Sequence, residues 1–95
     1  MTGTTRSSAN LDPRRRKILY RSWHRGMREV DLILGSFADG EIEKLSEEEL
    51  NIYEHFMSEL DGDILKWVLG EVPVPAEHDT LVFAKILSYR DAALV

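Results

Sequence analysis

Apolar side chains recur three and four residues apart along this chain and nowhere sustain a two-residue alternation, which restricts the fold to packed helices. The first such stretch opens at Asp12-Pro13. Asp is a good N-cap there, and proline fits the first helical position because its missing N–H would go unpaired anyway. Ile18, Leu19, Trp23 and Met27 mark one inward stripe. Gly26 is the natural stop, since glycine accepts the left-handed conformation common just past a helix end. Arg25, in the last turn, complements the negative end of the helix dipole.

A second helix follows at once, with Val30, Ile33, Leu34 and Phe37 in an i, i+3, i+4, i+7 repeat and an end expected near Ala38 to Gly40. Ser46-Glu47-Glu48-Glu49 is a capping box, which starts a third helix carrying Leu50, Tyr53, Phe56, Met57 and Leu60 inward. Asp61-Gly62-Asp63 is a turn or N-cap cluster before a short helix with Ile64, Leu65, Trp67 and Val68, ended by Gly70. Pro73-Val74-Pro75 forces an extended connection, because residues before proline avoid the helical region. A last helix is expected from about Ala76 to Ala93, supported by Leu81, Val82, Ala84, Ile86, Leu87 and Tyr89. The expectation is an all-α fold, a compact five-helix bundle over residues 12–95, behind a disordered arm of residues 1–11.

Ninety-five residues suffice for one domain with a modest core. The absence of cysteine excludes disulfides, thiolate metal sites and cysteine nucleophiles. No apolar run approaches the roughly 20 residues of a membrane span, so direct membrane insertion is not expected. The polar N-terminus has no apolar signal region and is short for a transit peptide, which favours the bacterial cytoplasm over the mitochondrial matrix.

The net charge of −5 hides a strong division. Residues 1–29 hold eight basic against two acidic residues, whereas residues 30–95 hold four basic against fifteen acidic. Such asymmetry favours a surface that meets a partner of opposite sign.

No catalytic constellation is visible. His24, His55 and His78 stand isolated in the sequence, none with a partner at helical i+4 spacing, so no metal site is expected. Phosphate-cradling glycine loops and the serine nucleophile elbow are absent. Asp61-Gly62-Asp63 lacks the rest of a calcium loop, and Glu47-Glu48-Glu49 suits the first turn of a helix. The Arg14-Arg15-Arg16-Lys17 run has two readings, phosphate contact or docking on an acidic protein surface. The helix after the corner is acidic beyond Arg28, unlike a recognition helix, so nucleic acid is not the expected partner.

The corner Arg25-Gly26-Met27-Arg28-Glu29 is the remaining candidate for function. It too has a plain structural reading: Arg25 on the helix dipole, Gly26 as a stop, Glu29 as a cap of the next helix.

Lys17-Ile18-Leu19-Tyr20-Arg21-Ser22-Trp23-His24 leading into that corner resembles the opening of the succinate dehydrogenase flavin-assembly factors, the SdhE family. Their Arg-Gly-x-x-Glu motif is matched by Arg25, Gly26 and Glu29, with Asp31 two residues on. Leu34 with Phe37-Ala38, Leu45-Ser46 through Tyr53, Asp63-Ile64-Leu65-Lys66-Trp67 and Pro73-Val74-Pro75 match further segments in order, so the resemblance covers about residues 14–90. His24 and the Arg14–Arg16 run depart from the pattern.

The resemblance implies a five-helix fold and a non-enzymatic chaperone that assists covalent attachment of FAD to the flavoprotein subunit of succinate dehydrogenase, or of the related fumarate reductase. In such flavoproteins the flavin's own electronics carry the chemistry. The helper would hold no cofactor stably and would be monomeric when free. Its contact surface would centre on Arg25, Gly26 and Glu29, with Arg21, Arg28 and Asp31 as neighbours. The alternatives are a small nucleic-acid-binding regulator using the basic first helix and a generic helical adaptor.

Overall fold

Three of the five α-helices begin where a side chain accepts from an amide of the first turn. The computed structural model describes residues 9–94. Helix α1, Pro13–Trp23, starts with Pro13 at its first position and the Asp12 carboxylate accepting from the Arg15 amide. The Arg15 side chain also donates to Asp12, and that bond holds the carboxyl below its ordinary range. Helix α3, Glu47–Met57, has the full capping box: the Glu49 amide donates to Ser46 Oγ at 3.1 Å and the Ser46 amide to Glu49 Oε1 at 2.9 Å. The Ser46 amide accordingly lowers the Glu49 pKa.

Helices α2 (Arg28–Glu41), α4 (Asp61–Val68) and α5 (Leu81–Ala93) complete the all-α fold, and the described residues contain no strand. Helix α2 is central and packs on α1, α4 and α5. Around it Ile18, Leu19, Ile33, Leu34, Phe37, Leu50, Tyr53, Phe56, Ile64, Val68 and Ile86 form one buried core. Leu11 is buried in that core as well, whereas residues 1–8 of the expected arm lie outside the described residues.

Three boundaries differ from expectation. Helix α2 runs through Gly35 and Gly40 to Glu41 instead of stopping near Ala38–Gly40. A Cβ at Gly35 would overlap the Trp23 indole, and one at Gly40 would overlap the Tyr89 ring. These glycines admit neighbours at close range, and that packing outweighs their poor helix propensity. Leu60 does not face inward: α3 has ended, and Leu60 stands at the N-cap of α4 with 74% of its surface exposed. The last helix starts at Leu81, not Ala76. Residues Ala76–His78 form a 3-10 turn that buries His78, and Thr80 then caps α5 by accepting from the Phe83 amide at 3.1 Å.

The buried polar groups are paired. Ser22 Oγ donates to the Ile18 carbonyl and lies 2.7 Å from the Tyr53 hydroxyl, joining α1 to α3 inside the core. Burial raises the Tyr53 pKa. Tyr89 donates to Glu41 at 2.6 Å, and that bond together with desolvation pushes its pKa up to about 12.

Candidate functional site, the corner between the first two helices

The α1–α2 corner is built by Asp31. Its Oδ1 accepts from the Arg25 amide at 2.6 Å and the Gly26 amide at 3.3 Å, tying the turn to the first turn of α2. Gly26 has φ +109°, a conformation that L side chains rarely adopt. There is room for a side chain, since an added Cβ would meet only Asp61 Oδ2, at 4.0 Å. Backbone handedness, not crowding within this chain, makes glycine the fitting residue.

Arg25 turns inward. Its Nε donates to Asp61 Oδ1 at 2.8 Å, and its two terminal nitrogens donate to the main-chain carbonyls of Met57 at 2.6 Å and Glu59 at 3.0 Å. The Arg25 side chain is 12% exposed and that of Asp61 20%. The guanidinium therefore covers the C-terminal end of α3 while holding the start of α4, the charge arrangement that helix dipoles favour. Its expected placement on the dipole of its own helix is not what the structure has.

Arg28 and Glu29 point outward. Both are exposed in the first turn of α2, and among the described residues neither side chain makes a hydrogen bond or ion pair. Helix α2 has no side-chain cap, so Glu29 is not the cap that a purely structural reading requires. Arg28, Glu29 and Leu32 join Ala93 and Leu94, at the end of α5, around an open depression of about 180 Å³. No local pattern in the chain signals that its last helix borders the corner. Arg21, exposed in the last turn of α1, makes no side-chain hydrogen bond or ion pair with the other five candidates.

The predicted residues thus form two groups. Arg25, Gly26 and Asp31 build the corner; Arg28 and Glu29 are presented by it, with Arg21 on the preceding helix.

The basic run has a structural use. Arg14 binds Glu47 at 2.7 Å and Asn51 and Glu54 at 2.6 Å, fastening α1 to α3. The Glu54 bond raises the Arg14 pKa. Arg15 donates to the main-chain carbonyls of Ile42 and Leu45. Two of the four basic side chains considered for phosphate contact are therefore committed within the fold, which weakens the nucleic-acid reading. Among the described residues, no helix is long and apolar enough to cross a membrane.

The family model described as flavinator of succinate dehydrogenase matches residues 16–90, from within α1, across the corner, to within α5. The chain belongs to that family. Among flavinator-family relatives, a mitochondrial succinate dehydrogenase assembly factor 2 from Dictyostelium discoideum is 43% identical over 74 residues, 78% of this chain and 52% of the relative. The assembly factor 2 of Saccharomyces cerevisiae is 42% identical over 82 residues, 86% of this chain and 51% of that protein. A bacterial relative, the FAD assembly factor SdhE of Acetobacter pasteurianus, is 31% identical over 78 residues, 82% of this chain and 72% of its own length. The chain spans about half the length of these mitochondrial relatives.

Proposed function

We propose that this chain is an assembly factor that binds the flavoprotein subunit of succinate dehydrogenase and promotes its covalent flavinylation with FAD. Membership in the flavinator family and the names of its relatives support the reaction. The observation that carries the site is the exposed Arg28–Glu29 pair, held on a corner whose own bonds are closed by Asp31 and Arg25.

The corner has no nucleophile and base arranged for a reaction of its own, so it acts through binding. A helper accelerates attachment by favouring the partner conformer that aligns the reacting groups, and it must bind that conformer more tightly than the others. Glu29 accepts donors from a basic segment of the partner; Arg28 pairs with a carboxylate. The depression beside them is smaller than the roughly 300–1,000 Å³ of small-molecule pockets, which favours a partner side chain over a flavin as its occupant. FAD accordingly remains with the flavoprotein.

The test is reconstitution of the apo-flavoprotein subunit with FAD, read by the fluorescence of covalent flavin after denaturing electrophoresis. Wild-type protein raises covalent flavin, and Glu29→Ala, with an unchanged melting temperature, does not. Full flavinylation with Glu29→Ala and Arg28→Ala together would overturn the site.

A further inference from the structure

Histidines that stand 23 residues apart in sequence meet in the fold. His55 lies on the exposed side of α3, and His78 ends the 3-10 turn, with ring centroids 4.8 Å apart. The Nε2 atoms of both rings converge on one carboxylate oxygen: Glu77 Oε1 is 2.8 Å from His55 Nε2 and 3.9 Å from His78 Nε2. Their isolation in the sequence is therefore not isolation in the structure.

We propose that His55, Glu77 and His78 bind a zinc ion that clamps the 3-10 turn to α3. The three donor atoms all lie within 4.8 Å of one another. Tetrahedral zinc with bonds of about 2.0–2.2 Å needs donors roughly 3.3 Å apart, so small side-chain rotations convert the present spacing into a coordination sphere. Two imidazoles and a carboxylate select a transition ion such as zinc over magnesium or calcium, which prefer all-oxygen sets.

Preorganisation comes from His78. Its side chain is 1% exposed, and its ring is held by Phe56 edge-on at 5.4 Å and by Trp67 at 5.6 Å. Glu59 Oε2, 2.7 Å from His78 Nε2, holds the same ring from the other side of the turn's contact with α3, and water would fill the fourth position of the ion. His55 and Glu77 are 56% and 59% exposed, so the ion has a direct path in. The cluster shares no residue with the corner and stands apart from the flavinylation reading.

The experiment titrates the full-length, metal-free protein with Zn²⁺ by calorimetry, and with Co²⁺ by visible absorption. One equivalent of Zn²⁺ is expected, Co²⁺ should give the intense d–d bands of a four-coordinate ion, and saturating zinc should raise the melting temperature. His55→Ala and Glu77→Ala alter exposed side chains and leave the fold intact; each should weaken zinc binding by at least about 10–100-fold, the loss seen even for outer-shell partners. His24→Ala, at the other histidine, should bind as wild type does. No zinc binding would overturn the proposal, as would binding that survives His55→Ala or a pale six-coordinate cobalt spectrum.

Discussion

Arg25 and Glu29 stand four residues apart in one motif, yet the fold uses them in opposite ways. Arg25 is nearly enclosed, bonded to Asp61 and to two carbonyls at the end of α3. Glu29 is exposed and makes no side-chain bond among the described residues. A single short motif therefore contains part of its own scaffold and an exposed charged face, the one proposed above for the partner. Damage to the first half should appear as lost stability, and damage to the second as lost function at constant stability.

The strongest way to break this contrast is Arg25→Ala. Removing one partner of a mostly buried ion pair leaves Asp61 uncompensated and costs about 3 kcal/mol. For a domain of this size that is a fall of about 12–24 °C in melting temperature. An unchanged melt would show that the inward bonds of Arg25 do not hold the corner. Gly26→Ala comes next, at about 1–3 kcal/mol, because φ +109° is strained for any L side chain. Chemical denaturation reads that loss.

Asp31→Ala frees the Arg25 and Gly26 amides and should cost about 1 kcal/mol, as the loss of a helix-capping carboxylate does. Asp31→Asn keeps an acceptor oxygen, so recovery of most of that stability would show that the hydrogen bonds, not the charge, close the turn. Glu29→Ala should move stability by no more than about 0.5 kcal/mol while abolishing assistance to flavinylation. If Glu29→Ala instead melted early, Glu29 would belong to the scaffold and not to the proposed binding face.

Five helices, the Ser46–Glu49 capping box and most of the core were legible because they rest on local spacing and local hydrogen bonds. What escaped was decided by distant neighbours. Gly35 and Gly40 are poor helix formers in isolation, and only Trp23 and Tyr89 make their missing side chains an advantage. The inward turn of Arg25 depends on Asp61, 36 residues away, and no local rule aims the guanidinium there. Thr80 is a recognisable cap, but the apolar pattern after Pro75 masks it, and the burial of His78 accounts for the later helix start. The candidate residues were legible as neighbours of the corner in sequence. Their division into frame and face was not, because exposed and buried charges look alike in a sequence.

Trp23 ends α1, two residues before Arg25 of the corner, and donates its indole N–H to Asp39, whereas Trp67 lies against the His78 ring. The molecule thus carries one natural fluorophore at each of its two chemically distinctive places. In a chain with Trp67→Phe, emission reports the surroundings of the corner; with Trp23→Phe, it reports the contacts of the His78 ring. The proposed partner docking and metal uptake can then be followed as separate optical signals, without a label.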